Sequence, residues 1–152
     1  MQVFQEAKNF IKILEGCQLQ AYQDSATVWT IGFGNTAYLK HFKNPRNIVI
    51  SQSTADQLLN SDLTPVLNAV MSCVVQTLKP NQYASLCAFA FNVGITAFQT
   101  STLLKIINAN PNNLNDIKVY WLKWDKITVN GEKEVCLGLQ KRRLKEFEFY
   151  CS

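Results

Sequence analysis

A glutamate, eight residues, an aspartate, five residues and a threonine stand near the start of the chain: Glu15, Asp24 and Thr30. Two carboxylates and a hydroxyl at that spacing could do acid–base chemistry. One carboxyl can protonate a leaving oxygen while the other activates a water, and the hydroxyl can help hold that water. Apolar Phe4, Ala7, Ile11 and Leu14, with Phe10 widening the stripe, predict an amphipathic helix over residues 2–15. Gly16 ends it as a C-cap glycine. Glu15 then lies in the last turn, where the helix dipole opposes a negative charge by about 0.3–1 kcal/mol and favours the protonated form a general acid needs. Residues 18–33 read as a hairpin. Val28, Trp29, Thr30, Ile31 and Phe33 are strand formers, and Asp24-Ser25-Ala26-Thr27 is the turn. A hairpin returning past a helix end can face Asp24 and Thr30 toward Glu15. Taken singly, Glu15 reads as a solvated carboxylate and Asp24 as a turn residue. Only the combination points to chemistry.

The 152 residues suffice for one domain, or for two small lobes sharing a core. With 47% apolar and 17% charged residues the composition is that of a soluble globular enzyme, and no apolar run reaches the roughly 18 residues that cross a bilayer. The start, Met1-Gln2-Val3-Phe4-Gln5-Glu6, has neither a basic n-region nor an apolar h-region, so no export signal is expected. The net charge of +4 suits an anionic partner weakly and falls short of a nucleic-acid binder's basic stripe. Cys17, Cys73, Cys87, Cys136 and Cys151 include no C-x-x-C, and with His41 as the single histidine no zinc site is expected. Cys73 and Cys87 lie among apolar residues and read as buried thiols in a disulfide-free chain.

Further along, residues 35–50 read as loop or weak strand, with His41 in a basic loop beside Lys40, Lys43 and Arg46. Ser51 or Ser53 caps a helix that Pro65 either kinks or restarts. Pro80 opens a helix that Gly94 ends. Its Phe89-Ala90-Phe91-Asn92-Val93 run is apolar nearly all round, so Asn92 needs either a buried partner or a cleft to face. Ser101 caps a further helix. Leu114, Ile117, Trp121 and Trp124 form another stripe, with both tryptophans expected in the core. Asn130-Gly131 is the strongest hairpin signal in the chain. A last helix follows Gly138, with Leu139, Leu144 and Phe147 facing in and Lys141, Arg142 and Arg143 as a basic cluster.

Three stretches resemble a known family. Residues 15–34 match E-G-x-x-L-x-A-Y-x-D followed by W-T-I-G-x-G. Phe89-Ala90-Phe91-Asn92-Val93-Gly94 with Ser101-Thr102-Leu103-Leu104 is a second match, and Gly138-Leu139-Gln140-Lys141-Arg142-Arg143-Leu144-Lys145-Glu146 a third. The sequence resembles the phage-type lysozymes, glycoside hydrolase family 24. The resemblance implies an α+β, mostly helical, lysozyme-like fold: residues 1–152 as one catalytic domain, a small N-terminal β-hairpin lobe and a larger helical lobe joined by a long helix, with the cleft between them. It implies cleavage of the β-1,4 bond between N-acetylmuramic acid and N-acetylglucosamine in bacterial peptidoglycan, without cofactor or metal. Glu15 is then the acid, and Asp24 with Thr30 positions the water in an inverting reaction. Gly34, Thr36, Phe91, Asn92 and Ser101 line the sugar cleft, and Arg142 or Arg143 pairs with Glu15. A monomer without nucleic-acid or membrane partners is expected, made in the cytoplasm and released to the wall through a holin. Two departures stand out: the hairpin turn lacks the family's glycine, and Asn35 replaces its histidine. The alternatives are a lytic transglycosylase, which needs one acid and no water, and a non-catalytic wall-binding protein of the same fold.

Overall fold

A computed structural model describes residues 1–152. Helix α1 (Gln2–Glu15) is followed by strands β1 (Gln18–Gln23) and β2 (Trp29–Gly32), two 3-10 turns (Tyr38–His41 and Pro45–Asn47) and α2 (Gln52–Cys73). Then come α3 (Pro80–Val93), α4 (Ile95–Gln99), α5 (Thr102–Ala109), α6 (Leu114–Leu122), strands β3 (Lys126–Val129) and β4 (Glu132–Val135), and α7 (Leu137–Cys151). Each sheet is a two-stranded antiparallel ribbon. The fold is therefore α+β and mostly helical, as expected.

The chain forms two compact units: Lys8–Pro65, and Met1–Ala7 with Val66–Ser152. The second boundary falls inside α2. That helix runs unbroken past Pro65, although the ring removes the N–H that would meet the Ser61 carbonyl. Ser51 is its cap, its hydroxyl accepting from Thr54 N at 3.1 Å, rather than Ser53.

In the Lys8–Pro65 unit, β1 and β2 pair Tyr22 with Thr30 and Gln23 with Trp29. Ile11, Ile31, Phe33, Leu39, Ile50, Ala55, Leu59 and Leu63 are buried. The Lys12 ammonium meets Asp56 at 2.7 Å, tying α1 to α2 within this unit and holding the Asp56 carboxyl below its usual range. Residues 35–50 hold two 3-10 turns and meet the ribbon through two isolated bridges, Ile31 to Asn35 and Gln20 to Val49, rather than as a strand.

In the other unit, α3 is buried from Ala84 to Ala90 and packs on α7. Pro80 starts α3 and Gly94 (φ +99°) ends it. Phe89 packs edge-on against Phe98, Trp121 and Trp124 with centroids 6.4, 5.7 and 5.5 Å away. Trp121 continues the cluster to Phe147 and Tyr150. The α6 stripe departs from its reading at both ends: Leu114 is exposed, and Trp124 lies beyond the helix, half-buried.

The larger departure is on α7. Leu144 is 40% exposed, while Arg143 and Glu146 are fully buried. Glu146 accepts from Arg142 Nε at 3.0 Å, Arg143 Nη1 at 2.8 Å and Trp121 Nε1 at 2.9 Å. Burial pushes its carboxyl above the usual range, against the two guanidinium charges and the indole. A charged pair with this many partners can occupy a core position a leucine would otherwise take. All five cysteines are free thiols. Cys87 is buried, which pushes its thiol up to about 12, whereas Cys73 is only half-buried.

Candidate active site

Glu15 is the last residue of α1. Gly16 at φ +64° accepts the reversal, and its N–H meets the Lys12 carbonyl at 3.1 Å. The half-buried Glu15 carboxyl abuts Gly34: a Cβ placed on Gly34 would lie 3.2 Å from Glu15 Oε2. Gly34 also has φ +78°, so two independent constraints demand glycine there. It is brought to Glu15 by a tight reversal after β2, in which Ile31 and Asn35 exchange both backbone hydrogen bonds at 2.9 Å.

The hairpin turn closes without its glycine. Asp24 N–H donates to the Val28 carbonyl at 3.0 Å and Thr27 N–H to the Asp24 carbonyl at 2.9 Å. Thr27 itself takes the left-handed conformation, φ +62°. Asp24 Oδ1 accepts from both Ala26 N and Val28 N at 2.9 Å. The side chain thus substitutes for what glycine's freedom would give, and the turn leaves Oδ2 uncommitted. Thr30, two residues on, is 3% exposed and donates its hydroxyl to the Val28 carbonyl at 3.0 Å. Its oxygen lone pairs remain to accept from a water.

Tyr22 links the two carboxylates. It pairs with Thr30 across the ribbon, and its phenol is raised by burial, then by the charge of Glu15, then by that of Asp24. Sequence reading passed over this residue. Its signal was the ribbon period, which places positions 22 and 24 on one face.

Asn35, at the family's histidine position, is buried and bridges two segments. Its Nδ2 donates to Asp62 Oδ2 at 2.8 Å and its Oδ1 accepts from Tyr38 N at 2.9 Å. Burial raises the Asp62 carboxyl, partly opposed by that hydrogen bond. Thr36 follows, half-buried at a surface groove. Glu15, Asp24, Thr30, Gly34 and Thr36 therefore all belong to the Lys8–Pro65 unit.

Phe91, Asn92, Ser101, Arg142 and Arg143 belong to the other. Phe91 and Asn92 emerge from the core at the end of α3, half-buried and exposed respectively. Asn92 Oδ1 accepts from Arg143 Nη2, and the residue lines a cavity of about 390 Å³ with Trp124 and the β3–β4 hairpin. Of the two alternatives for Asn92, the buried partner is present, as Arg143. Ser101 caps α5: its hydroxyl accepts from Leu104 N at 3.1 Å and donates to the Phe98 carbonyl at 2.7 Å, leaving it 4% exposed. That role is structural. Arg142 and Arg143 both bind Glu146, and Arg142 also donates to the Ala88 carbonyl at 3.2 Å.

The phage lysozyme family profile matches residues 12–146. An endolysin of Acyrthosiphon pisum secondary endosymbiont phage 1 is 37% identical over 148 residues, covering 96% of this chain and 95% of that one. The endolysin of Escherichia coli O157:H7 phage FAHEc1 superposes with a TM-score of 0.85 at 32% identity, over 99% of this chain and 93% of that one. The muramidase domain of SpmX from Asticaccaulis excentricus superposes with a TM-score of 0.80 at 31% identity, over 96% and 95%. Profile, sequence and fold agree over nearly the whole length, and the chain belongs to the phage lysozyme family.

Proposed function

We propose that this peptidoglycan hydrolase of the lysozyme class cleaves the β-1,4 bond between N-acetylmuramic acid and N-acetylglucosamine with Glu15 as acid and Asp24 as base. The observation that carries the assignment is that one unit brings the helix end and the hairpin together: a Cβ on Gly34 would lie 3.2 Å from Glu15 Oε2, and Tyr22, its phenol raised by burial and then by the charges of Glu15 and Asp24, pairs with Thr30 across the ribbon. Glu15 gives its proton to the departing glycosidic oxygen. A water donates one hydrogen to Asp24 Oδ2 and the other to Thr30 Oγ1, which turns its lone pair toward the anomeric carbon. Asp24 takes the proton as the carbon–oxygen bond forms on the opposite face, so the configuration inverts. Thr30 suits this role because its own hydrogen is already held by Val28. The single-domain reading, with the cleft between the lobes and Phe91 and Asn92 meeting the sugar, belongs to the same proposal. So does the pairing of Glu15 with Arg142 or Arg143. In that role a monomer acts on the wall after release from the cytoplasm, by a holin as the resemblance implies, and needs no cofactor.

The test is digestion of purified peptidoglycan by wild type, Glu15→Gln and Asp24→Asn, with soluble products read by mass spectrometry. Hydrated reducing ends from the wild type alone support the reading. Anhydro sugars would make the chain a transglycosylase. A folded wild type that sediments with the wall and releases nothing would make it a binding protein.

A further inference from the structure

The Lys8–Pro65 unit carries a second concave feature, which shares only Thr36 with the residues of the catalytic reading. Val28, Trp29, Thr36, Phe42 and Pro45 line a groove of about 340 Å³, with Lys40 and Lys43 in its wall. Val28 and Phe42 are 43% and 38% exposed, and Tyr38 packs against the Phe42 ring at 5.4 Å, which fixes it in place. Neither lysine forms an ion pair. Residues 25–55 contain no aspartate or glutamate, while Lys40, Lys43 and Arg46 give this stretch three cations. Trp29 and Thr30 are consecutive strand residues, so their side chains leave opposite faces of the ribbon. The groove is thus built beside the ribbon that carries the proposed water-holding hydroxyl, and its Trp29 leaves the face opposite Thr30.

We infer that this groove is a secondary binding site for a peptidoglycan strand, separate from the site of cleavage. The inference rests on the proposed function for its choice of polymer. Pyranose rings present apolar C–H faces that suit a wall of Trp29, Phe42 and Val28, and the Thr36 hydroxyl can serve a sugar hydroxyl. The stem peptides of the wall carry carboxylates, which the two unpaired ammonium groups complement. A concave site also suits a strand better than it suits a flat bilayer surface. The effect would be retention: a chain held on the insoluble wall beside the bond it cuts.

Binding is measured by co-sedimentation of the Glu15→Gln protein with purified peptidoglycan, in that background alone and with Lys40→Glu/Lys43→Glu or Phe42→Ser. All three altered residues are exposed. A control, Lys105→Glu/Lys145→Glu, makes the same net-charge change on exposed residues of the other unit. The groove variants should bind about tenfold more weakly than the control, with melting temperatures close to the parent's. Peptidoglycan with amidated carboxyls should weaken binding of the parent by a similar factor and leave the lysine double variant indifferent. Equal loss in groove and control variants would reduce the effect to net charge and overturn the inference. Retained wall binding with lost binding to phosphatidylglycerol vesicles would overturn it in favour of a membrane surface. Cleavage by the Glu15→Gln protein during the assay, a separate outcome, would sink the catalytic assignment instead.

Discussion

Replacing Gly34 by alanine should strike activity harder than stability, and Gly16→Ala supplies the measure. Both glycines have positive φ, +64° and +78°. Alanine in the left-handed region costs about 1–2 kcal/mol, and its narrower unfolded ensemble returns about 0.4–1 kcal/mol. Each variant should therefore lose about 1 kcal/mol, a melting shift of about 2–4 °C for a chain of this size. The surroundings differ. Nothing lies within 4 Å of a Cβ on Gly16, whereas one on Gly34 meets Glu15 Oε2 at 3.2 Å and the Glu15 carboxyl carbon at 3.8 Å. The acid must retreat by a few tenths of an ångström. A displacement of about 1 Å at a reacting group can cost about 100-fold, so a retreat of this size should cost about tenfold. The assay is the initial rate of wall clearing beside a thermal melt. Gly34→Ala should clear walls about tenfold more slowly than Gly16→Ala at equal melting temperature. Equal rates in the two variants would refute the placement of Glu15 against Gly34 as a catalytic constraint.

Three further outcomes are expected. Glu146→Ala removes the carboxylate from the fully buried Arg143 and should cost about 3–5 kcal/mol, read as a denaturant midpoint; a loss under about 1 kcal/mol would contradict the buried network. Asp62, whose carboxyl is raised by burial, binds its proton more tightly folded than unfolded, so its contribution is present below the unfolded value and is lost as pH rises through the folded one. Asp62→Asn should accordingly gain more melting temperature over wild type at pH 7 than at pH 3.5, and the reverse order would show that the Asn35 hydrogen bond outweighs burial. Thr27→Gly should relieve the φ +62° strain and stabilise by about 1 kcal/mol while keeping both Asp24 Oδ1 bonds, which a melt and a wall-clearing rate together check.

What was legible in the sequence followed periodicity and punctuation. The α1 stripe with Gly16, the Pro80 and Gly94 bounds of α3, the Ser101 cap and the Asn130-Gly131 turn are all local signals, and each structure formed where its signal lay. The misses were of another kind. Leu144 reads as core and Arg143 as surface on any hydropathy scale, because such a scale prices each residue alone. Glu146 reverses the order by meeting two guanidiniums and the Trp121 indole, partners up to 25 positions away in sequence. Trp124 likewise follows Trp121 at helical spacing but lies past the helix end at Leu122.

The two family departures are legible only through their replacements. A turn without glycine must find its left-handed residue and its hydrogen bonds elsewhere. Thr27 takes the conformation, and Asp24 supplies two acceptor contacts from one oxygen. The same Asp24 is the proposed base, so one carboxylate does both jobs by dividing its oxygens, Oδ1 to the turn and Oδ2 to the water. Asn35 shows the same economy. A neutral amide cannot carry a histidine's charge to Asp62, yet it donates to that carboxylate and accepts from Tyr38 N, joining α2 to the segment after β2. What the exchange removes is a titrating cation beside a half-buried acid. Position 35 should therefore add no titration of its own, and in the acid range the stability that Asp62 loses as pH rises runs against the stability that Asp56, held low by Lys12, gains. In melts taken from pH 3.5 to 8, the difference between Asp62→Asn and wild type should isolate the Asp62 share as a gain that grows with pH through the acid range, and a difference that stays flat would refute it.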